Sequence, residues 1–171
     1  MDTHAPQTAD TTAEQHVTAL YQAHALSLAR LALLMLGDPD AAQDVVQDAF
    51  LGLYRRWDKL ASAGAAPAYL RASVLNGCRT ALRQRYRPAF HAAGDPLESA
   101  EATMMHTEEQ RAVLAAIRRL PARQREAVVL RYYLDMTEDQ AARAMGVSRG
   151  TVKSATSRAV AAVGRMLKEE S

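Results

Sequence analysis

The sequence predicts an all-α protein of two small helical domains joined by a flexible linker, and three observations carry that expectation. Apolar residues make up 49% of the 171-residue chain, yet aromatics account for only 5% and alanine and leucine are abundant. Unbranched aliphatic side chains of that kind favour helices over strands. Apolar positions recur at helical spacing in several stretches punctuated by Gly and Pro. Two such sets are separated by Pro88 to Met105, a stretch with Pro, Gly, His, Ser and Thr but no amphipathic order.

The opening residues, rich in Thr, Ala, Pro and Asp, lack helical period and read as a disordered tail over 1–13. From Glu14 the positions Val17, Leu20, Tyr21, Leu28, Leu31 and Met35 define a first helix to Leu36, ended by Gly37-Asp38-Pro39. Asp38 or Asp40 can cap a second helix whose stripe is Val46, Phe50, Leu53 and Trp57. Ala61 to Pro67 reads as a loop. A third helix is expected from about Pro67 to Tyr86, with Leu70, Val74, Leu75, Cys78 and Leu82 inward and arginines on its other faces. Residues 14–87 then form one domain, 88–106 the linker and 107–171 the other domain. In the latter, Val113, Ile117 and Leu120 make one stripe before Pro121. Arg123 to Leu134 makes a second helix, and Thr137 to Met145 and Ser148 to Leu167 make two more.

The net charge of +2 hides a segregation along the chain. No acid lies between Asp58 and Asp95, where Lys59, Arg71, Arg79, Arg83, Arg85 and Arg87 stand. None lies between Asp139 and Glu169, where Arg143, Arg149, Lys153, Arg158, Arg165 and Lys168 stand. A polyanion-binding surface needs such segregation, because each neutralised phosphate releases condensed counterions. Charge alone is equally compatible with two hydrated basic faces that bind nothing.

Cys78 is the lone cysteine, which excludes intrachain disulfides and cysteine-rich zinc sites and fits a reducing cytoplasm. Residues 1–13 have neither a basic nor an apolar signal region. The apolar run Leu31 to Leu36 is far shorter than the roughly 20 residues of a membrane span, so no membrane insertion is expected. His4, His16, His24, His91 and His106 are scattered, and no HExxH or Gly-rich phosphate loop occurs, so neither metal, cofactor nor catalytic residues are expected.

The densest local signal lies near the C-terminus. Thr137 starts a helix with Glu138 and Asp139 in its first turn, and Ala141 and Ala142 permit close packing. Gly146 can take the positive φ of a tight turn, and Ser148 can cap the next helix. This is the sequence form of a helix-turn-helix. Its second helix would bury Val152, Thr156, Ala159 or Val160, and Val163. Arg149, Gly150, Lys153, Ser154, Ser157 and Arg158 would face solvent or DNA. Small side chains among basic ones let a helix sit deep in a major groove while Arg and Lys reach phosphates or guanine edges.

Leu120 to Glu126 closely resembles the LPxxxRE signature of sigma factor region 4, and Gly146 to Ser154 resembles its GVSxGTVKS signature. Gly37 to Phe50 is similar to region 2.2 of the same family. Three motifs in order over Glu14 to Leu167 identify the chain as a member of the extracytoplasmic-function (group 4) sigma factors of the sigma-70 superfamily, resembling the actinobacterial SigE-like branch.

The resemblance implies an alternative sigma factor that binds core RNA polymerase, through the β′ clamp coiled coil and the β flap, and directs it to promoter DNA without catalysis of its own. Region 2.2 docks on the basic β′ coiled coil, and Asp40, Asp44, Gln47 and Asp48 share a face that can meet it, opposite the apolar stripe. The third helix corresponds to regions 2.3 and 2.4, which hold the opened minus-ten strand. There Asn76 can pair with a base edge, Arg71, Arg79 and Arg83 can hold backbone, and Tyr69 can stack. Helix-interior solvation of Asn76 and core packing of Tyr69 are the alternatives. The second helix of the helix-turn-helix would read the minus-thirty-five element.

One departure stands out: many relatives carry a basic residue and then leucine where this chain has Ala155 and Thr156. An anti-sigma partner between the domains is common in the family, and the linker would permit one. The rival reading is a stand-alone helix-turn-helix regulator, against which the acidic second and basic third helices discriminate.

Overall fold

The computed structural model describes residues 7–85 and 107–169, and among them every regular element is helical. The linker expected over 88–106 and the first six residues lie outside that set. The chain divides into two units, one built on residues 1–32 and 40–92 and the other on residues 33–39 and 93–171.

The first unit holds α1 (Gln7–Leu36) up to Ala32, α2 (Pro39–Arg55) from Asp40, and α3 (Ala66–Arg85). Helix α1 begins at Gln7, so the tail expected over 1–13 is helical from that residue. Ala13, within the expected tail, is buried. Thr12–Leu36 is long and apolar enough to cross a bilayer by length and composition. Its Leu28, Leu31 and Ala32 are instead buried in the fold, as core side chains of a helical domain are.

Pro39 opens α2 as a first-turn residue that has no N–H to leave unbonded, and Asp40 follows in the same turn, favoured by the helix dipole. The buried stripe of α2 is Ala42, Val46, Ala49, Phe50 and Leu53. Trp57 does not extend that stripe: α2 ends at Arg55 and Trp57 opens a 3-10 turn, Trp57–Lys59. There the indole is half-buried and stacks on His16 of α1, with ring centroids 5.1 Å apart. Tyr21 of α1 meets Phe50 edge-on at 5.0 Å. A second 3-10 turn, Ala63–Ala65, leads directly into α3, which buries Leu70, Val74, Leu75 and Cys78 as expected and half-buries Leu82.

Helices α2 and α3 approach closely where side chains are missing. A Cβ on Gly77 would stand 2.8 Å from Val45 Cγ1, and one on Gly52 would stand 3.0 Å from the Tyr69 hydroxyl.

In the second unit, α4 (Glu108–Arg119), α5 (Ala122–Val128), α6 (Glu138–Met145) and α7 (Arg149–Glu169) pack with α7 touching the other three. Thr107 caps α4 by a reciprocal capping box: its hydroxyl accepts from the Gln110 N–H (3.3 Å) and its own N–H donates to Gln110 Oε1 (3.0 Å). Thr137 and Gln140 repeat the arrangement at α6, at 3.2 and 2.8 Å.

The helix expected from Arg123 to Leu134 is α-helical only to Val128. Val129–Tyr133 widens into a π turn, closed by Leu134 N–H donating to the Val129 carbonyl at 3.1 Å. The widening accompanies a sharp reversal in which Asp135 sits at φ +48° and Met136 N–H reaches back to Leu130 O at 3.0 Å. Asp tolerates the left-handed region better than most residues. Hydrophobic period alone does not distinguish the two helix types over so short a span.

Leu120-Pro121 ends α4 and begins α5. Leu120 is buried, and Arg125 turns back so that its guanidinium donates to the carbonyls of Arg118 and of Leu120, the latter at 3.1 Å. Glu126 is only 3% exposed. The Arg of the LPxxxRE signature is therefore structural here: it satisfies the carbonyls at the end of α4, with the buried Glu beside it.

Candidate nucleic-acid interface

The turn between α6 and α7 is built by backbone hydrogen bonds. Gly146 holds φ +65°, its N–H reaches Arg143 O (3.3 Å), and Val147 N–H reaches Ala142 O (3.1 Å), which together close a Schellman motif. Arg123 Nη1 donates to Met145 O at 3.2 Å and ties α5 to the same turn. Ser148 then caps α7: its hydroxyl accepts from Thr151 N–H at 3.1 Å and shares a 2.8 Å bond with the Thr151 hydroxyl.

Nothing stands within 4 Å of a Cβ built on Gly146, so Gly146→Val should meet only the cost of left-handed backbone. The expected loss is about 1–2 kcal/mol in the opening free energy that hydrogen exchange reads from the α6 and α7 amides. Unchanged protection would show that the turn relaxes to negative φ.

Helix α7 faces inward with Val152, Ala155 and Ala159. Of the two positions left open by the sequence, Ala159 is buried and Val160 is 48% exposed, while Thr156 and Val163 are half-buried. The departure at Ala155 and Thr156 thus lies on the packed side rather than the outward side. Arg149, Gly150, Lys153, Ser154, Ser157 and Arg158 are all exposed and share the outward side. Two cationic residues, Arg149 and Lys153, lie within the first two turns of that helix, flanking residues with little or no side chain.

Arg149 is not a simple solvated cation. Its Nε donates to Oε2 of Glu138 on α6 at 2.8 Å. The hydrogen bond from Arg149 is the main reason that the Glu138 carboxyl is held below the ordinary carboxylate range. Desolvation pushes the other way, and the charges of Arg149, Arg131 and Lys153 add to the lowering. The same hydrogen bond, with the charge of Asp139, raises Arg149. The sequence alone places Glu138 only as a first-turn acid. Its separation from Arg149 across a turn glycine is the signal that could have found the pair.

In the first unit, Asp40, Asp44, Gln47 and Asp48 are all exposed on α2, on the side away from Val46, Phe50 and Leu53. Beside Gln47 runs a groove between α1 and α2 of about 390 Å³, lined mainly by apolar surface including Val17, Tyr21, Phe50, Leu51 and Tyr54. Tyr21 and Leu51 are each about half exposed there, which the sequence pattern did not disclose.

On α3, Arg71 and Arg79 are half-buried and Asn76 and Arg83 are exposed. The Asn76 side-chain carbonyl accepts from Arg79 Nη1 at 2.7 Å, and the Thr80 hydroxyl accepts from Arg83 Nη2 at 3.3 Å. Tyr69 is half-buried, with its hydroxyl over Gly52 of α2.

The sigma-70 region 2 family matches residues 20–87, and the sigma-70 region 4 family matches residues 110–163. The RNA polymerase sigma-E factor of Streptomyces avermitilis is 33% identical over 135 residues, covering 79% of this chain and 75% of the relative. The ECF RNA polymerase sigma factor SigM of Mycobacterium tuberculosis is 34% identical over 148 residues, covering 86% and 75%. Among solved structures, the fold is similar to that of the sigma factor RpoE in complex with the anti-sigma factor NepR from Bartonella quintana. The TM-score is 0.66 at 24% identity, over 91% of this chain and 96% of that one. CnrH in complex with the cytosolic domain of CnrY gives 0.66 at 24% identity, over 95% and 98%. With both regions matched in order and relatives at this identity spanning most of the sequence, the chain belongs to the extracytoplasmic-function RNA polymerase sigma factors of the sigma-70 family.

Proposed function

We propose that the two units carry out a divided recognition of one promoter, with the first built on residues 14–87 and the second on residues 107–171. In this reading Asp40, Asp44, Gln47 and Asp48 meet a basic coiled coil of core polymerase. Arg149, Gly150, Lys153, Ser154, Ser157 and Arg158 face the duplex minus-thirty-five element. Tyr69, Arg71, Asn76, Arg79 and Arg83 hold the opened minus-ten strand. The observation that carries it is the exposure of all six α7 residues on one side of a helix capped by Ser148 and anchored inside by Val152, Ala155 and Ala159. A helix of that kind enters a major groove with its N-terminal turn foremost. On α3, the Arg79–Asn76 bond presets an amide and a guanidinium side by side, a pairing suited to a base edge and its phosphate.

Each half binds DNA weakly alone, and tethering to polymerase supplies the effective concentration that makes the pair productive. The chain performs no catalysis itself, acts in the cytoplasm where core polymerase resides, and needs no metal or cofactor. RpoE and CnrH are each named in complex with a protein partner, the anti-sigma factor NepR and the cytosolic domain of CnrY respectively. An anti-sigma partner of this kind is part of the present proposal.

Run-off transcription with purified core polymerase tests the reading: the chain should confer start-site selection without another sigma factor. A requirement for a second sigma factor would instead point to a stand-alone regulator. Within that assay Lys153→Ala should reduce use of a promoter that has its minus-thirty-five element by about tenfold, from loss of a phosphate or base contact in the groove. A promoter that lacks the element should be affected much less, and equal loss on both would remove Lys153 from this role.

A further inference from the structure

The Glu138–Arg149 pair sets a carboxylate against the start of a helix that carries no acid of its own before Glu169. An acid at that place weakens any contact made to phosphate, because it repels the same oxygens that the guanidinium attracts. The dipole of α6 favours an acid in its first turn, but not its bond to the first residue of the next helix, and that bond gives Arg149 a fixed direction. Glu138 engages Nε alone, at 2.8 Å, and Glu138 is the inner partner, its side chain 25% exposed against 65% for Arg149.

A guanidinium carries five donors in a fixed plane. With Nε anchored, the Nη1 and Nη2 pair is left at the outer end, and the long side chain loses much of its rotational freedom before any ligand arrives. Arg149 is the first residue of α7, and Gly150 beside it has no side chain to obstruct approach. Phosphate oxygens also accept such a fork, but among the base edges of the major groove the acceptor pair that fits it is O6 and N7 of guanine.

We propose that Glu138 is a positioning residue that determines base specificity, anchoring Arg149 through Nε so that its outer fork reads one guanine of the minus-thirty-five element. This rests on the reading of α7 as the major-groove helix. Arg131 and Lys153 lie close enough to lower the Glu138 carboxyl further, so its charge is locally balanced and the anchor persists through neutral pH. Asp139, the other acid of that turn, acts on Arg149 in the same direction as Glu138. The hydrogen bond is lost only as pH falls through the depressed value of the Glu138 carboxyl, well below the pH of transcription.

The test is selection of a library randomised at the minus-thirty-five element by the full chain assembled with core polymerase, followed by sequencing. Wild type is expected to enrich guanine at one position. Arg149→Ala should flatten that position alone. Glu138→Ala should flatten the same position by about tenfold while total DNA retention holds or rises. Glu138→Gln, which keeps an acceptor, should retain part of the preference and also shows that any change is not unfolding. The double variant should match Arg149→Ala, because an anchor has no effect once its arginine is gone. Preserved guanine preference in Glu138→Ala at the position that Arg149→Ala flattens would overturn the proposal. So would an Arg149→Ala profile equal to wild type. A wild-type chain that enriches no sequence would overturn the reading of α7 itself, a different failure.

Discussion

Asp44→Arg combined with Asp48→Arg is expected to lower transcription by core polymerase at least about a hundredfold, with the fold unchanged. Both carboxylates are exposed, and neither contributes to the buried stripe of Ala42, Val46, Ala49, Phe50 and Leu53. Exposed substitutions of this kind usually alter stability by no more than about 0.5 kcal/mol each. Against a basic partner helix, however, reversal both removes two attractions and places like charges together, which costs several kcal/mol at an interface. A hundredfold loss corresponds to about 2.7 kcal/mol, well inside that range. Co-purification with core polymerase should fall in parallel with transcription, and the defect should shrink at high salt as the repulsion is screened. Gln47→Ala, which removes only a hydrogen-bonding group on the same side, should cost much less. If the double reversal still pulls down core polymerase as wild type does, the acidic side of α2 is a hydrated surface and docking lies elsewhere.

The parts of the molecule that were legible in the sequence are those governed by local rules. The stripes of α2 and α3 follow from helical period, and the turn of the helix-turn-helix follows from Gly146 and Ser148, because a positive φ and a cap hydroxyl each demand few residue types. Burial of Val46, Leu53, Leu70 and Val74 needed no tertiary information. Illegible parts depend on what lies across space. Trp57 satisfies the period of α2 but lies in a 3-10 turn beyond it, where its ring stacks on His16. The π turn at Val129–Tyr133 goes with the reversal at Asp135, which no repeat encodes. Arg125 and Glu126 carry a family signature, yet the bonds of the half-buried Arg125 and the burial of Glu126 belong to the α4–α5 corner rather than to an outward face. Glu138 was visible as a helix-start acid, while its hold on Arg149 required the turn to be folded. The site residues themselves were easy to group by helix face, since exposure on one face follows from spacing, but their mutual bonds were not.

A second effect of similar size concerns Gly77, and here the sign of the outcome is informative. Glycine inside a helix is less favourable than alanine by about 1 kcal/mol, so Gly77→Ala in open space would stabilise α3. At this position the added Cβ would stand 2.8 Å from Val45 Cγ1 and 3.4 Å from Cγ2. Valine in a helix is held to one rotamer and cannot swing its methyls aside, so the two helices must part. The expected net result is destabilisation by Gly77→Ala, rising to about 3 kcal/mol for Gly77→Leu, as overpacked cores show. Hydrogen exchange of α2 and α3 amides is the suitable measurement, since a single melt of a two-unit chain does not isolate one unit. Val45→Ala should relieve the conflict: in that background Gly77→Ala should become neutral or stabilising, giving a coupling of about 1–2 kcal/mol between the two positions. A stabilising effect of Gly77→Ala in the wild-type background would mean that α3 is free to slide. The point bears on function because Asn76 and Arg79 flank Gly77 on α3. A helix displaced from α2 carries both of them away from any strand they hold. Gly77→Leu should therefore impair promoter opening more than it impairs binding to core polymerase, whereas the Asp44 and Asp48 reversals should do the opposite.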